Sequence, residues 1–236
     1  MTNHEKNVAV ITGASRGLGA ALARELDRRG WALVLDARDP ARLAESAQGL
    51  TDAHLVAGDV TEAGHRAALA DLSAELGGAR LLVNNASTLG ASPQPTVADL
   101  TPELLDDVLR TNMLAPVELV RALLPQLRAS RGTILNVSSD AAVEGYAGWG
   151  AYGASKAALD QVSQVLAAEE PALKVYAVDP GDMRTRMHQD AFPGEDISDR
   201  PPPEDVVPHL VALLAGDLPS GRYRAAEIAV PAGAGR

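Results

Sequence analysis

The sequence contains no cysteine. That absence excludes disulfides, thiolate metal sites and cysteine nucleophiles, and it is compatible with a reducing compartment. Aromatic residues make up only 3% of the 236 residues. Alanine, valine and leucine must therefore fill the core, which suits helices packed closely on a parallel sheet. Positive charge is also short: 21 Lys and Arg face 31 Asp and Glu, for a formal net charge of -10. Such a surface repels phosphate backbones, so no nucleic-acid partner is expected. No run is long and apolar enough to span a bilayer. The segment Met1 to Asn7 lacks the basic, apolar and small-residue order of a secretion signal. The expectation is a cytoplasmic protein with no membrane partner.

What the sequence does have is alternation. Short apolar runs read as strands at Val8 to Ile11, Ala32 to Leu35, His54 to Ala57, Arg80 to Val83, Thr133 to Val137 and Lys174 to Val178. Helical patterns separate them: Gly17 to Arg29, Pro40 to Gln48, and Thr61 to Leu76 with Thr61 as N-cap. A long helix is expected from Thr101 to about Ser130, tolerating or bending at Pro116 and Pro125, and another from Tyr152 to Glu169. A helix from Glu204 to Leu214 and a strand from Ala226 to Val230 close the chain. Alternating strands and helices imply right-handed crossovers and a doubly wound parallel sheet of about seven strands. The expected architecture is one Rossmann-like α/β domain over residues 1–236. Residues 182–203 break the rhythm, being polar and proline-rich, and are expected to form a lid or substrate loop.

Between the first strand and first helix lies Thr12-Gly13-Ala14-Ser15-Arg16-Gly17-Leu18-Gly19. In that context Gly13 permits a tight turn, Gly17 lets the backbone approach a phosphate, and Gly19 lets the helix pack close. The N–H groups at the helix start then face a pyrophosphate with the positive end of the dipole.

Tyr152 and Lys156 are four residues apart and share one helix face. An ammonium beside a phenol stabilises the phenolate, so the pair can give a proton to a carbonyl oxygen or take one from an alcohol. Ser139 ends the fifth strand, where α/β sheets bind ligands, and its hydroxyl can bond a substrate oxygen.

The glycine spacing, three residues and then one, resembles that of the short-chain dehydrogenase/reductase family, as does Tyr-x-x-x-Lys at residues 152–156. The resemblance runs through nearly the whole chain. It implies an oxidoreductase that moves a hydride between a nicotinamide cofactor and a small carbonyl or alcohol, with Tyr152 as acid/base. It assigns Ser139, rather than Ser138, to the substrate oxygen. It gives Lys156 the nicotinamide ribose, and gives Asn112 a water that relays protons to Lys156. Asp59-Val60 matches the family's adenine contact, and Asn84-Asn85-Ala86 its Asn-Asn-Ala-Gly element, with Ser87 in place of the glycine. Pro180-Gly181 through Thr185, with Met183 between them, matches the segment that clamps the nicotinamide amide. The ending Val230-Pro231-Ala232-Gly233 departs from the family's usual Val-Asp-Gly-Gly.

For the cofactor, the acid of NAD-preferring members would fall at Ala37, while Arg16 and Arg38 stand where a 2′-phosphate is bound. NADP(H) is favoured and NAD(H) stays possible. Asp36 lies one position early, and strand alternation points it to the other face unless a bulge re-aims it. Pocket walls are expected from 141–149, 88–95 and 182–203, with Tyr146, Trp149 and Met187 as substrate contacts. Glu144 reads as a solvated loop carboxylate and His188 as a surface residue. Family members assemble through the long and catalytic helices, so a homodimer or homotetramer is expected. The alternative is a non-catalytic NAD(P)-sensing protein on the same fold.

Overall fold

The structure, a computed structural model, describes residues 6–231. The N-terminal Met1 to Glu5 and the Ala232-Gly233 ending lie outside the described residues. Seven strands form one sheet: β1 (Val8–Ile11), β2 (Ala32–Ala37), β3 (Ala53–Ala57), β4 (Ala79–Asn84), β5 (Thr133–Val137), β6 (Lys174–Asp179) and β7 (Gly221–Arg224). Their order is β3-β2-β1-β4-β5-β6-β7, and every pairing is parallel. The order reverses beside β1, which makes the crevice between β1 and β4 the place where such sheets bind ligands.

Each strand sends alternate residues to opposite faces, and both faces are buried. Ala9, Ile11, Leu33, Leu35, Leu81 and Val83 join one core, packed under α1 (Gly17–Arg28) and α8 (Pro203–Ala215). Val8, Val10, Val34, Leu82 and Ile134 join the other, under α3 (Ala63–Glu75) and α5 (Ala115–Ser130). Full burial of each such side chain stabilises by about 1.5–3 kcal/mol. Leucine, valine and alanine supply nearly all of both cores, as the scarcity of aromatics requires. The remaining helices are α2 (Pro40–Ser46), α4 (Pro102–Leu109), α6 (Gly150–Glu169) and α7 (Arg186–Ala191).

Two expectations need correction and two gain detail. The long helix runs without a break from 102 to 130 and tolerates both prolines. It passes through a π-turn over Arg110–Leu114 and continues past Pro125. Pro116 has no N–H for the carbonyl four residues earlier, that of Asn112, so the helix widens there. Thr61 does not cap α3, because its N–H and hydroxyl both bind the Asp59 carboxylate at 2.8 Å and the helix starts two residues later. The last strand is Gly221–Arg224, and residues 225–227 form a single 3-10 turn where a strand was expected. Within 182–203, Thr185 caps α7 by accepting from the His188 N–H at 3.2 Å. Six residues are too few to show a helical period.

Candidate active site

The glycine turn is built by contacts that leave no room for side chains. Gly13 has φ +66°, and a β-carbon there would lie 2.9 Å from Ala86 Cα. Gly17 has φ +59°, with only the Thr185 methyl near its open side. Gly19 sits behind the turn, where a β-carbon would meet the Asn85 amide at 2.6 Å. The Asn85 amide donates to the carbonyls of Thr12 and Gly13 at 2.9 and 3.1 Å, so this side chain braces the turn. The N-cap of α1, Arg16, makes no side-chain cap, which leaves the helix-start N–H groups facing outward.

A cavity of about 1010 Å³ opens at the switch point. One end is lined by Gly13, Ser15, Arg16, Gly17, Leu18, Arg38, Asp59 and Val60. Asn85 and Ala86 form its middle, and Ser139, Trp149, Tyr152, Lys156, Pro180, Gly181, Met183, Thr185 and Met187 form the other end. Three residues expected at the site do not line it. Gly19 lies behind the turn. Tyr146 stands 43% exposed outside, donating to Asp140 and Glu144 at 3.0 and 2.9 Å. Asn112 is fully buried, and its amide is spent on Thr88 N, Thr88 O and Ser155 Oγ at 2.8, 2.9 and 3.0 Å. In the other direction, His188 is not a surface residue. It lines the cavity wall and its ring lies 4.9 Å from that of Phe192.

At the glycine-turn end, the register of β2 against β3 runs unbroken through Asp36, so no bulge re-aims it. The carboxylate is buried, accepts from Gly13 N at 3.4 Å and pairs with His65 Nε2 at 2.6 Å. Burial pushes its pKa up, against the pull of His65. Gly58 makes the pair possible, since a β-carbon there would lie 2.3 Å from His65 Nδ1. Asp59 is partly buried, which raises its pKa, but its two Thr61 bonds outweigh that and hold it low. Arg16 and Arg38 are exposed at the rim, and neither forms an ion pair among the described residues.

At the catalytic end, Tyr152 is 7% exposed and Lys156 is 2% exposed. Lys156 Nζ donates to Val137 O at 2.8 Å and lies 5.5 Å from the Tyr152 ring centroid. Burial pushes the phenol up to about 12; the Ser87 and Ser139 hydroxyls pull it down, and Asp140 and Asp179 push it up again. Burial also pushes the ammonium down to about 8, against the pull of Asp160. Desolvation is the largest influence on both groups, and the lysine is held by a backbone carbonyl. The phenol stays protonated at neutral pH. Ser139 caps the turn over 140–142, accepting from Ala141 N at 3.2 Å and donating to Asp140 Oδ1 at 2.9 Å.

One site residue escaped the sequence reading altogether. Arg222, on β7, donates to Asp160 Oδ2 and to Ser139 O, both at 2.8 Å, and lies 3.7 Å from Asp179. It ties together the turn after β5, α6 and β6, the three elements beside Tyr152 and Lys156. Its partners lie 62 and 83 residues away, so no local pattern signals it. Replacing Arg222 by Ala strands Asp160, whose other oxygen is already without a partner. The expected cost is about 3 kcal/mol, a fall in Tm of roughly 6–12 °C at pH 7. A thermal scan within 2 °C of wild type (about the effect of one weak surface contact) contradicts that role.

The family model for short chain dehydrogenase matches residues 7–196. Mouse sepiapterin reductase is 37% identical over 201 residues, covering 77% of this chain and 76% of that protein. The Escherichia coli oxidoreductase YciK is 31% identical over 230 residues, covering 89% of this chain and 86% of that one. Among solved structures, a short chain dehydrogenase from Shigella flexneri 2a complexed with NADP superposes with a TM-score of 0.86 at 29% identity, covering 93% of this chain and 97% of that one.

Proposed function

Because the chain belongs to the short chain dehydrogenase family, we propose that it is an NADP(H)-dependent oxidoreductase acting on a small carbonyl or alcohol. The observation that carries this is a single cavity holding Tyr152, Lys156 and Ser139 at one end and the glycine turn at the other. A nicotinamide dinucleotide fits the residues present: the turn has room for a pyrophosphate, with uncapped helix N–H groups behind it. Bound there, the cofactor supplies or accepts the hydride.

The chain's own residues do the rest. Ser139 and Tyr152 hydroxyls point the substrate oxygen at the proton donor. A phenol held neutral by burial is an acid when a carbonyl is reduced. As the proton leaves, charge develops on the phenolate, and the Lys156 ammonium, 5.5 Å from the ring centroid, favours that charge. Trp149 lies edge-on to Tyr152 at 5.6 Å and 5.8 Å from Phe192, a wall suited to a substrate with a flat apolar face.

NADP(H) preference rests on charge. Arg16 and Arg38 are uncommitted at the rim, whereas the Asp36 carboxylate, the natural acceptor for a ribose hydroxyl, is occupied by His65 and Gly13. Two guanidiniums suit a 2′-phosphate. Arg38→Ala is expected to lower kcat/KM for NADPH by roughly 10–100-fold while changing NADH little. Steady-state rates with both cofactors and a panel of ketones and aldehydes test this, and a wild-type preference for NADH overturns it. We also propose a homodimer or homotetramer; Leu114 and Val165, each 45% exposed beside and on the paired helices, favour such packing.

A further inference from the structure

One residue at the catalytic end departs from the family pattern and is chemically unaccounted for. Ser87 stands where the Asn-Asn-Ala-Gly element has its glycine. It lines the cavity together with Ser139 and Tyr152. Its Oγ is buried and has no partner at hydrogen-bond geometry. Buried hydroxyls are normally paired, so an orphan at a reaction centre needs a reason.

The backbone on both sides of Ser87 is held firmly. Ala86 N donates to Thr12 Oγ1 at 3.0 Å, and Thr88 N donates to Asn112 Oδ1 at 2.8 Å. Asn112 returns a bond to Thr88 O at 2.9 Å and donates to Ser155 Oγ at 3.0 Å. Ser155 in turn donates to Tyr152 O at 2.6 Å. A continuous set of hydrogen bonds therefore locks the Ser87 loop to the helix turn that carries Tyr152. The position of the Ser87 hydroxyl relative to the phenol is built, not incidental.

The two serines also differ in what their hydrogens are doing. The Ser139 hydroxyl donates to Asp140 Oδ1 at 2.9 Å, so its hydrogen is committed. The Ser87 hydroxyl meets full hydrogen-bond geometry with no partner among the described residues, and the phenol is the group it acts on. Both hydroxyls act on the phenol in the same sense, favouring its ionised form.

We propose that Ser87 is a further catalytic residue, a hydroxyl that donates to the Tyr152 oxygen as it becomes a phenolate. The inference rests on Tyr152 being the proton donor. In the reductive direction the carbonyl carbon gains the hydride and the carbonyl oxygen gains the phenol proton. The O–H bond of Tyr152 breaks, its electron pair stays on the phenolate oxygen, and the Ser87 hydrogen bonds to that oxygen. In the oxidative direction the same bond favours the base form that takes the alcohol proton. A glycine at this position leaves that donor out.

The test needs neither cofactor nor substrate at first. Tyrosinate absorbance after a rapid pH jump is recorded for the wild type, Ser87→Gly, Ser87→Ala, and each of these combined with Tyr152→Phe. Subtracting the Tyr152→Phe partner isolates the Tyr152 transition. Loss of a hydroxyl donor should raise its midpoint by about half a unit or more. Ser87→Ala keeps a β-carbon in case glycine loosens the loop. A midpoint unchanged in both variants overturns the inference. Turnover then separates it from the reading beneath it. With a carbonyl that the wild type reduces with NADPH, kcat should fall roughly tenfold in both Ser87 variants while KM for NADPH stays put. If Tyr152→Phe retains most activity, the proton-donor reading falls and this inference with it. If Tyr152→Phe is inactive and both Ser87 variants turn over like the wild type, only the role of Ser87 falls.

Discussion

Tyr152→Phe is expected to reduce kcat by about 10²–10⁴-fold with little change in NADPH binding. The substitution removes one oxygen and leaves the ring, and the ring is what packs: it meets Trp149 at 5.6 Å and closes a small apolar cluster with Leu89 and Ala141. Burial of the remaining phenyl group is unchanged or improved, so the variant should fold. What it lacks is the only phenolic proton in the cavity. The Ser139 hydroxyl cannot substitute, because a serine hydroxyl is a far weaker acid and its hydrogen already goes to Asp140. Measuring kcat against a ketone panel alongside NADPH titration by fluorescence separates the two effects. A variant that binds NADPH and still reduces a ketone at a tenth or more of the wild-type rate (well short of the loss set by the cited range) would remove Tyr152 from the chemistry.

The second large effect concerns stability, and its sign is unusual. Lys156→Met should make the protein more stable at neutral pH. The ammonium is buried and held down to about 8, whereas an unfolded lysine titrates near 10.5. Below about pH 8 both states carry the charge, and the folded state bears the full penalty of burying it. Between about pH 8 and 10.5 the unfolded chain holds more protons than the folded one, so stability rises with pH through that window. The penalty below it is on the order of 3 kcal/mol. Methionine removes the charge but also the bond to Val137 O at 2.8 Å, a loss of about 1 kcal/mol. The net gain, about 2 kcal/mol, corresponds to a rise in Tm of roughly 4–8 °C at pH 7. The advantage should shrink to nothing or reverse by about pH 10. Thermal scans of both proteins at pH 7 and pH 10 decide the matter; equal differences at the two pH values would mean that the lysine charge is not what is being relieved.

The same two residues show how far the sequence reaches. Tyr152 and Lys156 on one helix face follow from a spacing of four, and the strand–turn–helix setting of Gly13, Gly17 and Gly19 follows from local patterns. So does the parallel sheet, because apolar runs too short for helices alternate with segments of helical period. These are properties of residues close together in the chain, and local sterics and hydrophobic period govern them. They were sufficient to place the glycine turn and the Tyr152–Lys156 helix on one Rossmann-like α/β fold.

Distance along the chain is what hid the remainder. The pairing of Asp36 with His65 spans 29 residues, and it gives that carboxylate a partner inside the protein. Arg222 reaches Ser139 across 83 residues, and it lies on a last strand that starts five residues before the expected one, which left it unseen. The π-turn at Asn112 arises from a missing N–H at Pro116, but what Asn112 then binds, the Thr88 backbone and Ser155, depends on two other elements meeting there. The protonation of Tyr152 and Lys156 is the clearest division. The sequence by itself determined that a phenol and an amine share a helix face. Only the tertiary structure decided that burial would hold the phenol neutral and weaken the ammonium, because desolvation is set by what the whole fold packs around a group rather than by its neighbours in the chain.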